Sequence, residues 1–144
     1  PNTTLQDRID DASQEAMDDQ RGMWSPDTCA SAAATSLAIV TVEPNPLGPD
    51  EGNLNGEWVV IANKGATEID LSGWTLRDGS SVHRYLFPVG THLGPGADLT
   101  VFTGCGNDDP DRRYWCADGP VWGNSGDSAL LLDTAGMTAA TFDY

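Results

Sequence analysis

The residues best suited to chemistry lie in one short segment, in which acidic side chains are followed by cations and aromatic rings. Asn107, Asp108, Asp109 and Asp111 come first, and carboxylate and amide oxygens at this density could bind Ca²⁺. Their spacing differs from that of an EF-hand loop, and Pro110 interrupts the run. Of two interpretations, a cation site at Asp108–Asp111 or a solvated acidic loop, we favour the solvated loop.

Arg112, Arg113, Tyr114 and Trp115 follow directly and are the candidate ligand contacts. Two cations interleaved with two aromatic rings could stack on nucleic-acid bases or on sugar rings. The competing interpretation is structural: Trp115 covers the edge of the fold while the arginines pair with nearby aspartates. The pattern leaves both interpretations open and favours the structural one.

Histidine and serine residues elsewhere lack the neighbours that metal binding or nucleophilic catalysis requires. His83 and His92 have no cysteine or acid at ligand spacing. Ser72, Ser125 and Ser128 fall in turns or caps, with no His–Asp framework beside them. We therefore expect no catalytic residue, no cofactor and no metal ligand in this chain.

Three cysteines bear on the cellular compartment. Cys105 and Cys116 flank ten residues of a loop rich in Gly, Asp and Arg. In an exported protein a disulfide would close this loop and add roughly 3 kcal/mol of stability; the alternative is two reduced thiols. Cys29 has no evident partner. We expect a secreted or cell-surface protein with bacterial-type export.

The charge balance restricts the class of partner. The chain of 144 residues has 22 acidic and 7 basic residues, for a net charge of −15. Such a surface favours solubility and disfavours a broad grip on duplex nucleic acid. No apolar run approaches the roughly 20 residues that span a membrane, so we expect no transmembrane segment. A protein or envelope component fits better as a partner.

Short apolar runs separated by Gly, Pro, Asn and Asp dominate the chain after residue 36 and predict an antiparallel β-sandwich. The predicted strands are 37–43, 57–63, 69–71, 74–77, 84–87, 99–103, 129–133 and 137–143. The run Glu57–Asn63 is nearly all apolar and should form a central strand covered on both sides. Trp58 and Trp74 are expected in the core, and Trp122 fits either the core or an exposed contact.

Residues 1–28 have the pattern of one amphipathic α-helix, with an apolar stripe opposite a row of aspartates and a stop at Gly22. Residues 29–35 are small and suit a linker. A helix with nothing of its own to pack on implies a missing neighbour, so we expect the end of a larger protein. The residues expected to dock the helix on the sandwich or on a second copy are Leu5, Ile9, Met23 and Trp24.

Residues 37–144 resemble the lamin tail domain family, whose fold is an immunoglobulin-like sandwich, and 36–144 is the predicted domain. The matching stretches are residues 56–65 (GEWVVIANKG), 69–76 (IDLSGWTL), 87–91 (FPVGT), 93–96 (LGPG) and 122–132 (WGNSGDSALLL). The resemblance implies an all-β, immunoglobulin-like antiparallel β-sandwich preceded by one N-terminal α-helix. The Cys105–Cys116 loop departs from the family pattern as an insertion.

Residues 1–28 resemble the C-terminal helix of the staphylococcal (thermonuclease) nuclease family, through Pro1-Asn2-Thr3 and Arg21-Gly22-Met23-Trp24-Ser25. In that family the Ca²⁺-binding carboxylates, the phosphate-binding arginines and the catalytic glutamate precede this helix. The resemblance therefore implies a parent enzyme with a Ca²⁺-dependent nuclease domain upstream, and no catalysis by this piece.

These inferences predict a non-catalytic accessory module of a secreted thermonuclease-like protein, which positions the enzyme on a protein, envelope or substrate partner. One alternative is that the chain forms part of an active Ca²⁺-dependent nuclease unit. The other is a carbohydrate-binding sandwich that uses Tyr114, Trp115 and Trp122.

Overall fold

The computed structural model describes residues 36–44, 52–80 and 82–144. The described residues form one turn of 3₁₀ helix, Leu54–Gly56, and ten strands. The strands are β1 (Leu37–Glu43), β2 (Trp58–Asn63), β3 (Ile69–Asp70), β4 (Thr75–Arg77), β5 (Arg84–Leu86), β6 (His92–Leu93), β7 (Asp98–Phe102), β8 (Arg112–Tyr114), β9 (Ser128–Leu132) and β10 (Thr138–Asp143). In this part of the chain no helix is long and apolar enough to cross a bilayer.

Two four-stranded sheets build the sandwich. The first has the order β1-β2-β7-β8 and the second β10-β9-β4-β5, while β3 and β6 pair as a two-stranded ribbon. The pairing is antiparallel except between β7 and β8, which run parallel. β1 packs against β10 and joins the sheets on one side of the sandwich. On the other side the sheets end at β8 and β5.

The core lies between the sheets, where alternate residues of each strand meet. The buried residues that face one another are Ile39, Val59, Ile61, Leu99 and Val101 from the first sheet and Leu76, Tyr85, Ala129 and Leu131 from the second. Trp74 and Trp122 are also buried. The prediction for Trp58 needs correction: its side chain is half-buried, because Val59 and Ile61 occupy the inward positions of β2 and leave Trp58 on the outer face.

The predicted strands correspond to eight of the ten observed ones, with ends that differ by a residue or two. β2 is central, as expected, but its outer face is fully covered only towards Asn63. The sequence pattern missed β6 and β8 and the parallel β7–β8 pair. The helix predicted for residues 1–28, with docking residues Leu5, Ile9, Met23 and Trp24, lies outside the described residues, as does Cys29.

The lamin-tail stretches build turns, as their composition suggests. Leu71 and Trp74 are buried on either side of Gly73, whose φ of 74° suits glycine. The Asp127 carboxylate accepts hydrogen bonds from the N–H groups of Gly79 (3.2 Å), Gly123 (3.2 Å) and Ser128 (2.7 Å). This carboxylate therefore fixes the turn that begins β9.

Asn63 joins β2 to the β3–β6 ribbon. Its buried amide group donates to the carbonyl oxygens of Thr67 (2.7 Å) and Leu93 (3.0 Å) and accepts from the N–H of Gly65 (2.9 Å). A side chain without access to water needs such partners, since an unpaired buried amide is costly. The predicted Asn63-Lys64-Gly65 turn is thus locked by its own first residue.

Glu57 joins β2 to the chain segment that precedes β9. The residue is 1% exposed, and its carboxylate accepts hydrogen bonds from the N–H groups of Val121 (3.0 Å) and Trp122 (3.3 Å). These partners are 64 and 65 residues away along the chain. The interaction holds the connection from β8 to β9 against the core and seats Trp122 there.

Replacing Glu57 with alanine should lower the free energy of unfolding by about 3 kcal/mol, because two buried N–H groups lose their acceptor. Urea denaturation of the purified chain measures the change. The matched control is Glu68→Ala, which removes a carboxylate that is 63% exposed and should cost less than about 0.5 kcal/mol. Equal losses in the two variants would show that the buried carboxylate has no such role.

Candidate functional site

A disulfide between Cys105 and Cys116 closes the loop that carries the predicted ligand contacts. Gly106 lies against the ring of Tyr114, so closely that a Cβ at this position would clash with the ring. The Asn55 side-chain amide donates to the carbonyl oxygen of Cys105 (3.0 Å). The loop is therefore anchored on the fold by packing and hydrogen bonds in addition to the disulfide.

The acidic residues of this loop mostly accept hydrogen bonds from groups of the same loop. Asp108 accepts a hydrogen bond from the N–H of Tyr114 (3.0 Å), and Asp109 accepts one from the N–H of Asp111 (2.9 Å). The Arg113 guanidinium lies 3.8 Å from the Asp108 carboxylate and also donates to the carbonyl oxygen of Asp109. In residues 36–44, 52–80 and 82–144, no group of three or more His, Cys, Asp or Glu side chains could hold a metal ion.

Strand alternation separates the four candidate ligand contacts into two pairs. β8 pairs with β7 through Thr100–Arg112, Val101–Arg113 and Phe102–Tyr114. Since Val101 is buried in the core, Arg112 and Tyr114 stand on the opposite, outer face of the first sheet. The structure thus brings together Arg112 with Tyr114, but not with Arg113 or Trp115.

Trp115 packs inside the fold, at the side where the two sheets end. Its ring lies 5.7 Å from that of Tyr85 and 6.2 Å from that of Trp122. Trp122 is 3% exposed. The three rings proposed for sugar binding, Tyr114, Trp115 and Trp122, are therefore distributed between the outer face and the core and do not form one platform.

The outer face of the first sheet carries its own row of half-buried rings, Trp58, Phe102 and Tyr114, which are neighbours in the strand register. Phe102 and Tyr114 stack on each other, with centroids 5.1 Å apart and planes 16° apart. Their facing surfaces are occupied by one another, and Gly106 lies against Tyr114. Phe102 and Tyr114 therefore cover one another's ring faces, on which sugars or bases would otherwise stack.

His83 has an acidic partner that the sequence analysis did not identify. Its Nδ1 lies 2.7 Å from Oδ2 of Asp78, a carboxyl group that is 3% exposed. The Ser80 hydroxyl donates to the same carboxylate, at 2.8 Å. In a nucleophilic triad the histidine stands between serine and acid, whereas here Asp78 stands between the other two. The cluster fixes the chain between β4 and β5 and does not activate Ser80.

Tyr85 is a buried tyrosine beside the disulfide loop. Burial raises the pKa of its hydroxyl to about 12, the nearby Asp108 carboxylate adds to this shift, and Arg113 opposes it. The hydroxyl is buried without a hydrogen-bond partner among the described residues. Tyr85 thus contributes an aromatic ring to the core, in contact with Phe87 and Trp115, and its hydroxyl is a cost to stability.

The most exposed apolar side chains lie on and around β5. Among the described residues, the three large apolar side chains that are more than half exposed are Val82 (77%), Leu86 (65%) and Val89 (95%). A concentration of this kind on one segment is typical of an interaction surface. We call residues 82–89 the edge segment.

A groove runs beside the edge segment. It has a volume of about 630 Å³ and lies between β5 with its flanking residues and the crossing segment, residues 115–120, which leads from β8 towards β9. The N–H groups of Trp115, Cys116 and Ala117 donate to the carbonyl oxygens of residues 102, 104 and 103. The crossing segment is thus bonded to the first sheet, and β5 pairs with β4 alone.

Sequence reasoning did not identify this edge. Val82, Leu86 and Val89 are single apolar residues between polar ones, which is common on any surface. The available signal was the alternation of Val82, Arg84 and Leu86 with Tyr85 and Phe87. Both sets contain apolar residues, so the pattern cannot show which face is buried.

Breaking the Cys105–Cys116 disulfide by Cys105→Ser with Cys116→Ser should lower the free energy of unfolding by about 3 kcal/mol, since the unfolded chain regains the freedom of the closed loop. Denaturation of both proteins with and without a reductant provides the measurement. Reductant should destabilise the natural chain and leave the double variant unchanged. An equal response of the two proteins would contradict a stabilising bond.

Replacing Tyr85 with phenylalanine should raise the free energy of unfolding by about 1 kcal/mol at pH 7, because it removes a buried, unpaired hydroxyl. The substitution should also change how the free energy of unfolding falls at alkaline pH. With the pKa at about 12 in the folded chain and near 10 in the unfolded chain, ionisation of Tyr85 favours the unfolded chain, so the natural chain loses stability between pH 10 and 12 and Tyr85→Phe does not.

Thermal denaturation from pH 8 to 12 separates these effects. Tyr85→Phe should melt higher than the natural chain at pH 8, and the gap should widen above pH 10. Tyr114→Phe is the control, since its ring lies on the outer face. A lower melting temperature for Tyr85→Phe at pH 8 would mean that the hydroxyl has a stabilising partner.

Comparison with known proteins agrees with the fold. Residues 30–144 match the model of the lamin tail domain family. No curated protein matches the chain. Two solved structures from Sulfolobus acidocaldarius are similar. The archaellum periplasmic stator protein complex FlaF and FlaG has 12% sequence identity and a TM-score of 0.43, and the match covers 76% of this chain and 88% of that chain. The archaellum periplasmic stator protein FlaG has 12% sequence identity and a TM-score of 0.42, and the match covers 75% of this chain and 97% of that chain.

At this identity and TM-score the stator proteins are distant resemblances, from which no functional conclusion follows. The family match is stronger evidence, because the matched residues include every strand of both sheets. The predicted resemblance of residues 37–144 is confirmed, and the chain belongs to the lamin tail domain family.

Proposed function

We propose that this chain is a non-catalytic binding module, which positions an exported, thermonuclease-like parent enzyme on a partner protein. The observation that carries the proposal is the edge segment, which holds the three most exposed large apolar side chains of the described residues, two of which, Val82 and Leu86, line a groove. A surface of this kind costs free energy in water unless a partner covers it.

Two features support the exported, nuclease-linked part of the proposal. The Cys105–Cys116 disulfide is typical of proteins that fold in oxidising compartments. The resemblance of residues 1–28 to the last helix of thermonucleases supports a nuclease domain upstream, and any Ca²⁺ would belong to that domain. The lamin tail domain then supplies attachment, and the nuclease domain supplies bond cleavage.

A protein partner suits the surface better than a nucleic acid or a glycan. The net charge of −15 repels polyphosphates, and the rings of Phe102 and Tyr114 cover one another instead of presenting open faces. Apolar side chains along a sheet edge, by contrast, match the alternating side chains of another polypeptide.

Retention of the purified chain on isolated cell envelopes tests the proposal. The variant Val82→Ser/Leu86→Ser/Val89→Ser should lower retention about tenfold or more, since a few buried apolar contacts carry most of the energy of an interface. The matched control, Val40→Ser/Met137→Ser, removes other exposed apolar side chains and should leave retention unchanged.

The alternatives predict different results in the same assay. Treating the envelopes with protease should abolish retention if the partner is a protein. Loss of retention on muramidase digestion alone would favour the carbohydrate-binding alternative. The chain should not hydrolyse DNA in the presence of Ca²⁺; hydrolysis would favour the nuclease-unit alternative. Equal retention of the edge variant and the natural chain would contradict the proposal.

A further inference from the structure

We infer that the edge of β5 binds an extended peptide of the partner protein, which joins the β10-β9-β4-β5 sheet as a fifth strand. This inference rests on the proposed function and adds the mode of binding and the chemistry of the peptide. It starts from the backbone of β5, which is paired on one side.

The direction of the Leu86 N–H and C=O groups follows from the hydrogen bonds of the next residue, Phe87. The N–H of Phe87 donates to the Trp74 carbonyl oxygen (2.9 Å), and the Phe87 carbonyl oxygen accepts from the N–H of Gly73 (3.0 Å). Successive residues of a strand direct these groups to opposite sides. The N–H and C=O of Leu86 therefore point away from β4, towards the groove.

No hydrogen bond within the described part of the chain uses this side of Leu86. It has no partner among the backbone bonds outside the strands, and β4 is the neighbour of β5 in the sheet. The N–H groups of residues 115–117 in the crossing segment already donate to the first sheet and are not available to the Leu86 carbonyl oxygen. An added strand would supply the missing partners.

The groove also has room and suitable walls for a strand. Its volume of about 630 Å³ separates β5 from the crossing segment, where the half-buried Trp115 and Ala117 pack on the core. Peptide side chains directed inwards would meet these two residues. Side chains directed outwards would lie beside Val82, Arg84 and Leu86 on the outer face. A strand in this position would close the open side of the sandwich.

Charge decides between a second copy and another polypeptide. Each copy carries a net charge of −15, so pairing of β5 with its counterpart would bring two acidic domains together. A basic segment is attracted instead, and Asp118 lies on the far wall of the groove. The peptide should therefore have apolar residues at its inward positions and Lys or Arg at positions near Asp118 and away from Arg84.

The experiment uses the full chain and nine-residue peptides selected on it from a random display library, then synthesised. We expect the selected peptides to combine apolar and basic residues and to lose about tenfold or more in affinity for Leu86→Pro, which removes the outward N–H. Leu86→Ala removes the same side chain but keeps that N–H, so it should lose less affinity than Leu86→Pro.

N-methylation of single peptide amides makes the test independent of how well Leu86→Pro folds. In a series of peptides that each carry one methylated amide, methylation of an amide that faces β5 should abolish binding, and methylation of the next amide along should not. The sensitive positions should therefore alternate along the peptide. Failure to enrich any peptide, affinity unchanged in Leu86→Pro, or a methylation pattern without period two would overturn strand addition.

A failure of the proposed function can be distinguished from a failure of strand addition. If strand addition is wrong but the edge segment is still the docking surface, envelope retention remains protease-sensitive and is lost in the triple serine variant. If retention does not depend on the edge segment, the proposed function is wrong, whatever the selected peptides do.

Discussion

A strand at the end of a β-sheet has backbone groups on one side that its own sheet cannot pair, and this constraint governs the binding surface of the domain. On one side of the sandwich the edge strands β1 and β10 lie against each other. On the other side the crossing segment runs past β5, bonded to the first sheet through residues 102–104 and held further on by the Glu57 carboxylate. The connection that completes the core therefore leaves β5 with a groove instead of a neighbour.

The same arrangement explains why residues that look functional are structural. Trp115 and Trp122 fill the space between the sheets, and Asp108 and Asp109 accept hydrogen bonds from their own loop. The disulfide ties that loop at both ends. Trp115 and Cys116, held in this way, form part of one wall of the groove, and a rigid wall lowers the entropy cost of binding an extended segment.

The sequence predicted the sandwich well because its strands are short apolar runs bounded by turn residues, as in Leu37–Glu43 and Ser128–Leu132. It missed β8, because Arg-Arg-Tyr has no strand pattern of its own and is ordered by its parallel pairing with β7. Trp58 was misplaced because the run from Trp58 to Ala62 does not alternate, so its register is set by the packing of Val59 and Ile61. Glu57 was missed because burial of a carboxylate depends on distant N–H groups that local sequence cannot reveal.

Amide hydrogen exchange at Leu86 tests the free edge most directly. In the chain alone we expect rapid exchange of the Leu86 amide and slow exchange of the Phe87 amide, which donates to Trp74. Saturation with a selected peptide should slow exchange at Leu86 by about tenfold or more, since the amide then donates within a ladder. A Leu86 amide already protected in the free chain, or unaffected by the bound peptide, would contradict the account.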